Sequence, residues 1–170
     1  MTDTWNGFRF VGAVEDDTNE PPEKNSDLIE SLKVMLAEAY VLYHTIHGFH
    51  WNVKGTDFYE YHKLFNKIVD DIYESIDPIA ENILKLGANA PFVMSQLSNM
   101  SGIEETGLVS KDPKELAKKF LEMNEEYVKH IKETFNAANR EDEQGVANFI
   151  AERIDQHQKW SWFLKASIGE

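Results

Sequence analysis

The chain has 170 residues, a length that suits one domain with a sizeable core and is too short for two comfortable ones. Its 30 acidic and 17 basic residues give a formal net charge of −13, which argues against a nucleic-acid-binding surface and against a membrane anchor built from basic residues. The absence of cysteine excludes disulfides, cysteine-based zinc sites, iron–sulfur clusters and thiol nucleophiles.

Residues 1–26 differ in composition from the remainder of the chain and are predicted to form an acidic tail. They hold six acidic residues against Arg9 and Lys24, and their apolar residues do not recur at helical spacing. They also lack the basic start and apolar core of a signal peptide, and no apolar run reaches the ~20 residues of a membrane span. We therefore expect residues 27–170 to form the folded domain, and we expect a cytoplasmic protein without a membrane partner.

A first long helix is predicted after this tail. Apolar residues recur at alternating intervals of four and three residues from Leu28 to Phe49, which marks one face of a helix. Asp27 and Glu30 have the spacing of a capping box at its start. Gly55 lies in a short turn that ends the helix and allows the chain to reverse.

A second long helix is predicted to follow at once. Asp57 and Glu60 again have capping-box spacing, and an apolar stripe runs over residues 58–83. Pro78 lies inside this stripe, where it removes one backbone hydrogen bond and kinks the helix. Gly87 is placed to close the helix at its C-terminus.

Residues 88–111 form a long connector, in which residues 95–100 could form one short helix. Two further long helices are predicted beyond it. Asp112 and Pro113 provide an N-cap and a first-position proline for the third long helix, and a break over 139–142 precedes the fourth. No strand-like alternation competes. Four helices joined by short, long and short connections predict an all-α fold, a four-helix bundle with the one-crossover topology of ferritin-like folds.

Two pairs of candidate metal ligands lie on the first two helices. His50 and His62 flank Gly55 at similar distances, so an antiparallel hairpin brings the two imidazoles to similar height. Asp77 and Glu81 are four residues apart and share a helix face. Imidazole and carboxylate together form the ligand set of non-haem iron with open positions.

The two pairs cannot hold one ion within one chain. His62 and Asp77 are 15 residues apart on one helix, a separation of about 22 Å, whereas metal–ligand bonds measure only ~2 Å. Either the pairs are unrelated features, or the site forms between two chains. A two-fold axis that pairs the second helices antiparallel would join the two pairs, and would do so twice.

An iron site inside a single bundle is not supported by the sequence. Bundle-core di-iron sites use a Glu-x-x-His motif on two helices. None of the six histidines follows a glutamate at this spacing. We expect His130 and His157 to be satisfied on helix faces instead.

Three segments of the chain resemble the Dps (DNA-protection-during-starvation) miniferritins. The family pattern H-W-N-x-x-G matches residues 50–55, F-x-x-x-H matches 58–62 and D-x-x-A-E matches 77–81, at matching separations. The resemblance implies a hollow dodecamer with ferroxidase sites between subunits, each holding two iron ions. In such a site His50 and His62 come from one subunit, and Asp77 and Glu81 from its two-fold mate. Fe(II) would be oxidised there, typically by hydrogen peroxide, and stored as a ferric mineral.

The chain departs from the family pattern at four positions. Asn66 replaces a residue that is usually acidic, which puts the affinity for iron or the choice of metal in doubt. Asn82 stands where the family usually has arginine, and Pro78 lies between the two carboxylates and can tilt Asp77. Asn148 occupies a position where an aspartate often lines a pore.

Two other functions compete with iron storage. Dps proteins that bind and protect nucleoid DNA generally use lysine- and arginine-rich tails, whereas residues 1–26 carry a net charge of −4. Because phosphate contacts supply most non-specific affinity, direct DNA binding is disfavoured. The other alternative is a structural shell whose ferroxidase activity has been weakened by Asn66 and Asn82.

Overall fold

Five helices make up the described part of this computed structural model, which covers residues 24–108 and 110–170. They are α1 (Ser26–Asn52), α2 (Phe58–Lys85), α3 (Met94–Met100), α4 (Pro113–Arg140) and α5 (Gln144–Ile168). The helices α1 and α2 pack together, as do α4 and α5, and α1 also packs against α4 and α3. The predicted all-α bundle with a short helix in its long connector is confirmed. Residues 1–23 of the predicted tail lie outside the described residues.

Local signals place most helix ends where the sequence predicts them. Gly87 has φ 89° after the last turn of α2, and the amides of Gly87 and Ala88 donate to the carbonyls of Leu84 and Ile83, a Schellman motif. At the start of α4 the Asp112 carboxylate accepts the first free backbone amides of the helix at 3.0 and 3.1 Å.

Both predicted capping boxes are wrong. The helix α1 begins after Asn25, which has φ 70°, rather than after Asp27. Asn25 makes no side-chain cap and instead donates to Glu143 Oε1 at 3.1 Å, which ties the start of α1 to the loop before α5. Asp57 does precede α2, but its side chain accepts no capping hydrogen bond.

The apolar stripes of the four long helices meet in one core. The largest fully buried side chains are Tyr127, Phe65, Phe120, Leu28, Leu32, Met35, Leu36, Leu42, Ile46, Ile68, Ile72 and Ile79. Full burial of one leucine, isoleucine or phenylalanine side chain stabilises a fold by about 1.5–3 kcal/mol.

Among the helices of the described ranges, none has the length and apolar character of a membrane-spanning segment.

A buried polar network joins α2, α4 and α5. The ring of His157 is fully buried and donates through Nδ1 to Asn124 Oδ1 at 2.6 Å, while Arg153 donates to its Nε2 at 3.2 Å. Arg153 also forms a bidentate pair with Asp71 at 2.8 and 3.1 Å, and Trp160 donates to the same carboxylate. His157 is therefore satisfied, as predicted, although by a network in the interior.

The network makes the fold sensitive to acid. Burial, followed by the positive charge of Arg153, lowers the pKa of His157 to about 3. Burial raises the pKa of Asp71, but the hydrogen bonds and charge of Arg153 outweigh it and leave that pKa below its usual value. The unfolded chain thus binds more protons than the folded one as the pH falls below the ordinary histidine pKa of ~6.5, and stability declines.

We predict that His157→Gln reduces this acid sensitivity, because glutamine does not titrate and can still reach Asn124. Between pH 6.5 and 4.5 the wild type should lose about 2 kcal/mol more stability than the variant. Urea unfolding followed by circular dichroism measures the difference, with the exposed His44→Gln as control. Identical pH slopes in wild type and His157→Gln would contradict the prediction.

Candidate metal centre

His50 and His62 meet where α1 ends and α2 begins. The short connection of residues 53–57 turns the chain back on itself, with Gly55 at φ 138°. The two imidazole rings lie stacked, with centroids 3.8 Å apart and planes inclined by 21°. The structure therefore brings together the two histidines that the hairpin argument places at similar height.

Two reciprocal hydrogen bonds hold the pair. His50 Nδ1 donates to the carbonyl of His62 at 3.1 Å, and His62 Nδ1 donates to the carbonyl of His50 at 2.9 Å. Because carbonyl oxygens only accept, Nδ1 carries a proton in both rings, and in the neutral ring the lone pair is therefore on Nε2. This is the form in which imidazole binds a metal ion.

The position of His50 at the end of α1 explains why its carbonyl can accept the hydrogen bond from His62. The carbonyl of His50 lies in the last turn of the helix, where backbone carbonyls lack intrahelical partners. The amide of Lys54 donates to the Lys111 carbonyl at 2.8 Å instead. The His50 carbonyl is thus left for His62, and the backbone fixes the orientation of both rings.

Aromatic residues and a third histidine surround the pair. Phe58 lies 4.9 Å from His62, and His47 lies 6.0 Å from His50 and 4.3 Å from Trp51, measured between ring centroids. Burial, and then the neighbouring charge of His50, lower the pKa of His47. Protonation of His47 is therefore disfavoured by its surroundings.

Asp77 and Glu81 lie far from the histidines of the same chain. Both side chains are exposed on α2, which continues without interruption through Pro78. Asp77 lines a groove that also includes Tyr73 and Phe92. Within the described ranges, no three histidine, aspartate or glutamate side chains come together in a way that could hold a metal ion. One chain therefore does not unite the four predicted ligands.

Asn66 and Asp70 form a contact that the sequence analysis did not predict. Asn66 Nδ2 donates to Asp70 Oδ2 at 2.9 Å on the exposed face of α2, one and two turns beyond His62. The amide NH2 thus faces Asp70, and a cation would bind Asn66 through Oδ1, since the oxygen is the acceptor atom of an amide. The spacing of four residues was the only signal for this bond.

Asn82 turns away from this surface. Its side chain is buried, and Nδ2 donates to the carbonyl of Pro78 at 2.9 Å. The residue therefore supports the helix around the proline and does not replace a charged partner for Glu81.

Comparison with known proteins agrees with this fold. Residues 29–170 match the model of the ferritin-like domain. The DNA protection during starvation protein of Helicobacter pylori is 32% identical over 140 residues, which span 82% of this chain and 97% of that protein. DNA protection during starvation protein 2 of Bacillus anthracis is 28% identical over 148 residues, or 86% of this chain and 99% of that one.

Solved structures give the same result. The crystal structure of Helicobacter cinaedi CAIP has a TM-score of 0.78 at 30% identity and covers 83% of this chain and 99% of its own. The DPS protein of Vibrio cholerae O1, described as a member of a broad superfamily of ferritin-like diiron-carboxylate proteins, has a TM-score of 0.81 at 26% identity and covers 85% and 91%. The chain belongs to the ferritin-like family and is a Dps-like miniferritin.

Proposed function

We propose that this chain stores and detoxifies iron as a ferroxidase whose sites form between subunits. In each site His50 and His62 of one subunit bind iron together with Asp77 and Glu81 of a two-fold-related copy. The observation that carries the proposal is the stacked histidine pair, whose Nδ1 atoms are both held by backbone carbonyls. Two exposed carboxylates on the same helix supply the complementary half.

The length of α2 supports this pairing. In an antiparallel pair of α2 helices, residue 62 of one copy lies opposite residues 77–81 of the other when the axis passes near residues 70–71. The surface around that axis includes Tyr73, which is 62% exposed. Phe92, which is 84% exposed, lines the same groove as Asp77. Exposed apolar surface of this kind is typical of a protein–protein interface.

The donor set suits the proposed reaction. Neutral imidazoles and carboxylates bind Fe(II) and leave positions open for an oxidant. The two carboxylates favour the more highly charged Fe(III) product, since they offset its additional charge. Two Fe(II) ions supply the two electrons that cleave the O–O bond of one hydrogen peroxide molecule. The net charge of −13 per chain favours delivery of the cation, and the same charge opposes the alternative of direct DNA binding.

Complementation between variants tests whether the site is shared. The variants His50→Ala/His62→Ala and Asp77→Ala/Glu81→Ala should each oxidise Fe(II) with peroxide no faster than protein-free buffer. When the two chains are co-expressed, each mixed dimer regains one intact site and one doubly defective site. We expect about a quarter of wild-type activity from random mixing, because half of the dimers are mixed.

The assay is the initial ferric absorbance after anaerobic addition of Fe(II) and peroxide. Glu74→Ala, which removes another exposed carboxylate of α2, is the matched control and should keep its activity. A mixed assembly as inactive as its parents would show that the two pairs do not act together. A wild-type rate equal to those of the variants, and no better than protein-free buffer, would favour a structural shell.

The native mass gives an independent prediction. A dodecamer has a mass of about 235 kDa, twelve times the 19.6 kDa chain. We expect native mass spectrometry or light scattering to find this assembly. A stable lone protomer would contradict the proposal, because one chain holds only half of each site.

Exchanging Asn66 and Asp70 tests how the amide affects metal binding. The double variant Asn66→Asp/Asp70→Asn conserves the net charge and the hydrogen-bonding pair, but moves the carboxylate one turn closer to His62. We expect Co(II) to bind about ten-fold more tightly, because a carboxylate is a stronger ligand than an amide. Isothermal titration calorimetry on the assembled protein measures the change. Unchanged or weaker binding would mean that position 66 does not face the metal.

A further inference from the structure

A buried carboxylate lies between α1, α4 and the connector that follows α3. Glu38 on α1 is fully buried, and its Oε1 accepts hydrogen bonds from His130 Nδ1 at 2.5 Å and from the backbone amide of Gly102 at 3.2 Å. Its other oxygen, Oε2, is buried and has no hydrogen-bond partner within the described residues. This group has no role in the proposed ferroxidase centre.

The connector is closely packed on this pair. A Cβ atom at Gly102 would lie 3.0 Å from Glu38 Oε1 and 3.2 Å from His130 Cε1, so glycine allows the backbone to approach. The contact holds the carboxylate and the ring in one fixed arrangement.

The charge of Glu38 is not balanced when His130 is neutral. Burial raises the pKa of Glu38 and outweighs the charge and hydrogen bond of His130 and the hydrogen bond from the Gly102 amide, so the ionised carboxylate is not fully stabilised by these partners. An ionised carboxylate out of contact with water is costly unless it is paired and fully hydrogen-bonded. A buried acceptor without a partner is therefore a sign of a bound water or ion.

His130 is oriented as a metal-binding histidine would be. Its Nδ1 is held by the Glu38 carboxylate, so in the neutral ring the lone pair lies on Nε2, at the other edge. A carboxylate on Nδ1 fixes the ring orientation and makes the other nitrogen a better metal ligand. The His130 side chain is 32% exposed, so its ring is open to solvent on one side.

A groove of about 460 Å³ lies beside this ring. Its lining includes Glu38, Gly102, His130 and Glu133. Glu133 follows His130 by three residues and thus shares its face of α4. No three such side chains come together in the described ranges, so the groove offers one oriented ligand, His130, with the exposed Glu133 carboxylate beside it.

We propose that His130 Nε2 and the Glu133 carboxylate bind a borderline divalent cation, Zn²⁺, Co²⁺ or Fe²⁺, with water completing the coordination. Glu38 is a positioning residue that acts through the His130 ring. The cation offsets the buried negative charge on the opposite side of the imidazole. Glu38 lies twelve residues before His50 on α1, about 18 Å away, so this site is separate from the proposed ferroxidase centre and does not depend on it.

Cobalt binding to the assembled full-length chain tests the site. Co(II) is titrated into the His50→Ala/His62→Ala variant in 0.15 M salt, and the visible cobalt absorption reports coordination by nitrogen. We expect about one ion per chain. Adding His130→Gln should weaken this binding at least ten-fold. Adding His44→Gln, which removes another solvent-exposed imidazole, should leave the binding unchanged. Equal binding with and without His130 would overturn the proposal.

Two further measurements separate positioning from ligation. Glu38→Gln keeps the shape of the side chain and should weaken Co(II) binding about five-fold, with the far-ultraviolet circular dichroism unchanged. If Glu38→Gln unfolds, the His130→Gln variant, at a partly exposed position, decides. In crystals soaked with Co(II), an anomalous peak within about 2.2 Å of His130 Nε2 supports the site, and the absence of a peak there contradicts it. The same loss of one ion is expected when His130→Gln is made in the wild-type chain.

Discussion

The rigidity of α2 is the constraint on which the proposed chemistry depends. A continuous helix from Phe58 to Lys85 keeps His62 and Asp77 about 22 Å apart, and no change of rotamer closes such a gap. Any ion held by both must therefore join two chains. Metal binding and assembly are then thermodynamically linked, since iron bound at the interface stabilises the assembled form over the separated chains.

The two halves of the proposed site differ in how their side chains are held. His50 and His62 are fixed by backbone carbonyls, which orient the rings without adding charge. Asp77 and Glu81 carry the charge but lie exposed on the helix surface. An isolated chain thus has an imidazole pair at one end and a carboxylate pair at the other. In the proposed dimer each pair gains the ligand type that it lacks.

Most of the fold follows from short-range sequence signals, and the failures share one physical cause. Gly87 and the Asp112–Pro113 pair mark helix ends correctly because their effects act within a few residues. The predicted capping box at Asp27 failed because Asn25 contacts Glu143, which is 118 residues away in the chain. Spacing rules carry no information about contacts of that kind.

In the candidate site, too, the predictable contacts are the local ones. The histidine pair could be predicted because a hairpin about Gly55 is a local feature. Glu38 could not, because it lies beside the apolar stripe of α1 and its partners, His130 and Gly102, come from distant segments. The family pattern likewise does not predict the hydrogen bond from Asn66 to Asp70, which orients the side-chain amide of Asn66.

Asn66 has a further consequence in the proposed dimer. An axis near residues 70–71 brings the two copies of Asp70 close together, and each Asp70 already accepts the Asn66 amide of its own chain. A carboxylate at position 66 would add two more negative charges to this surface before any cation arrives, and like charges at an interface oppose association. The amide removes that repulsion and satisfies Asp70. The cost is a weaker ligand beside His62, so an asparagine at this position favours assembly of the metal-free shell over affinity for iron.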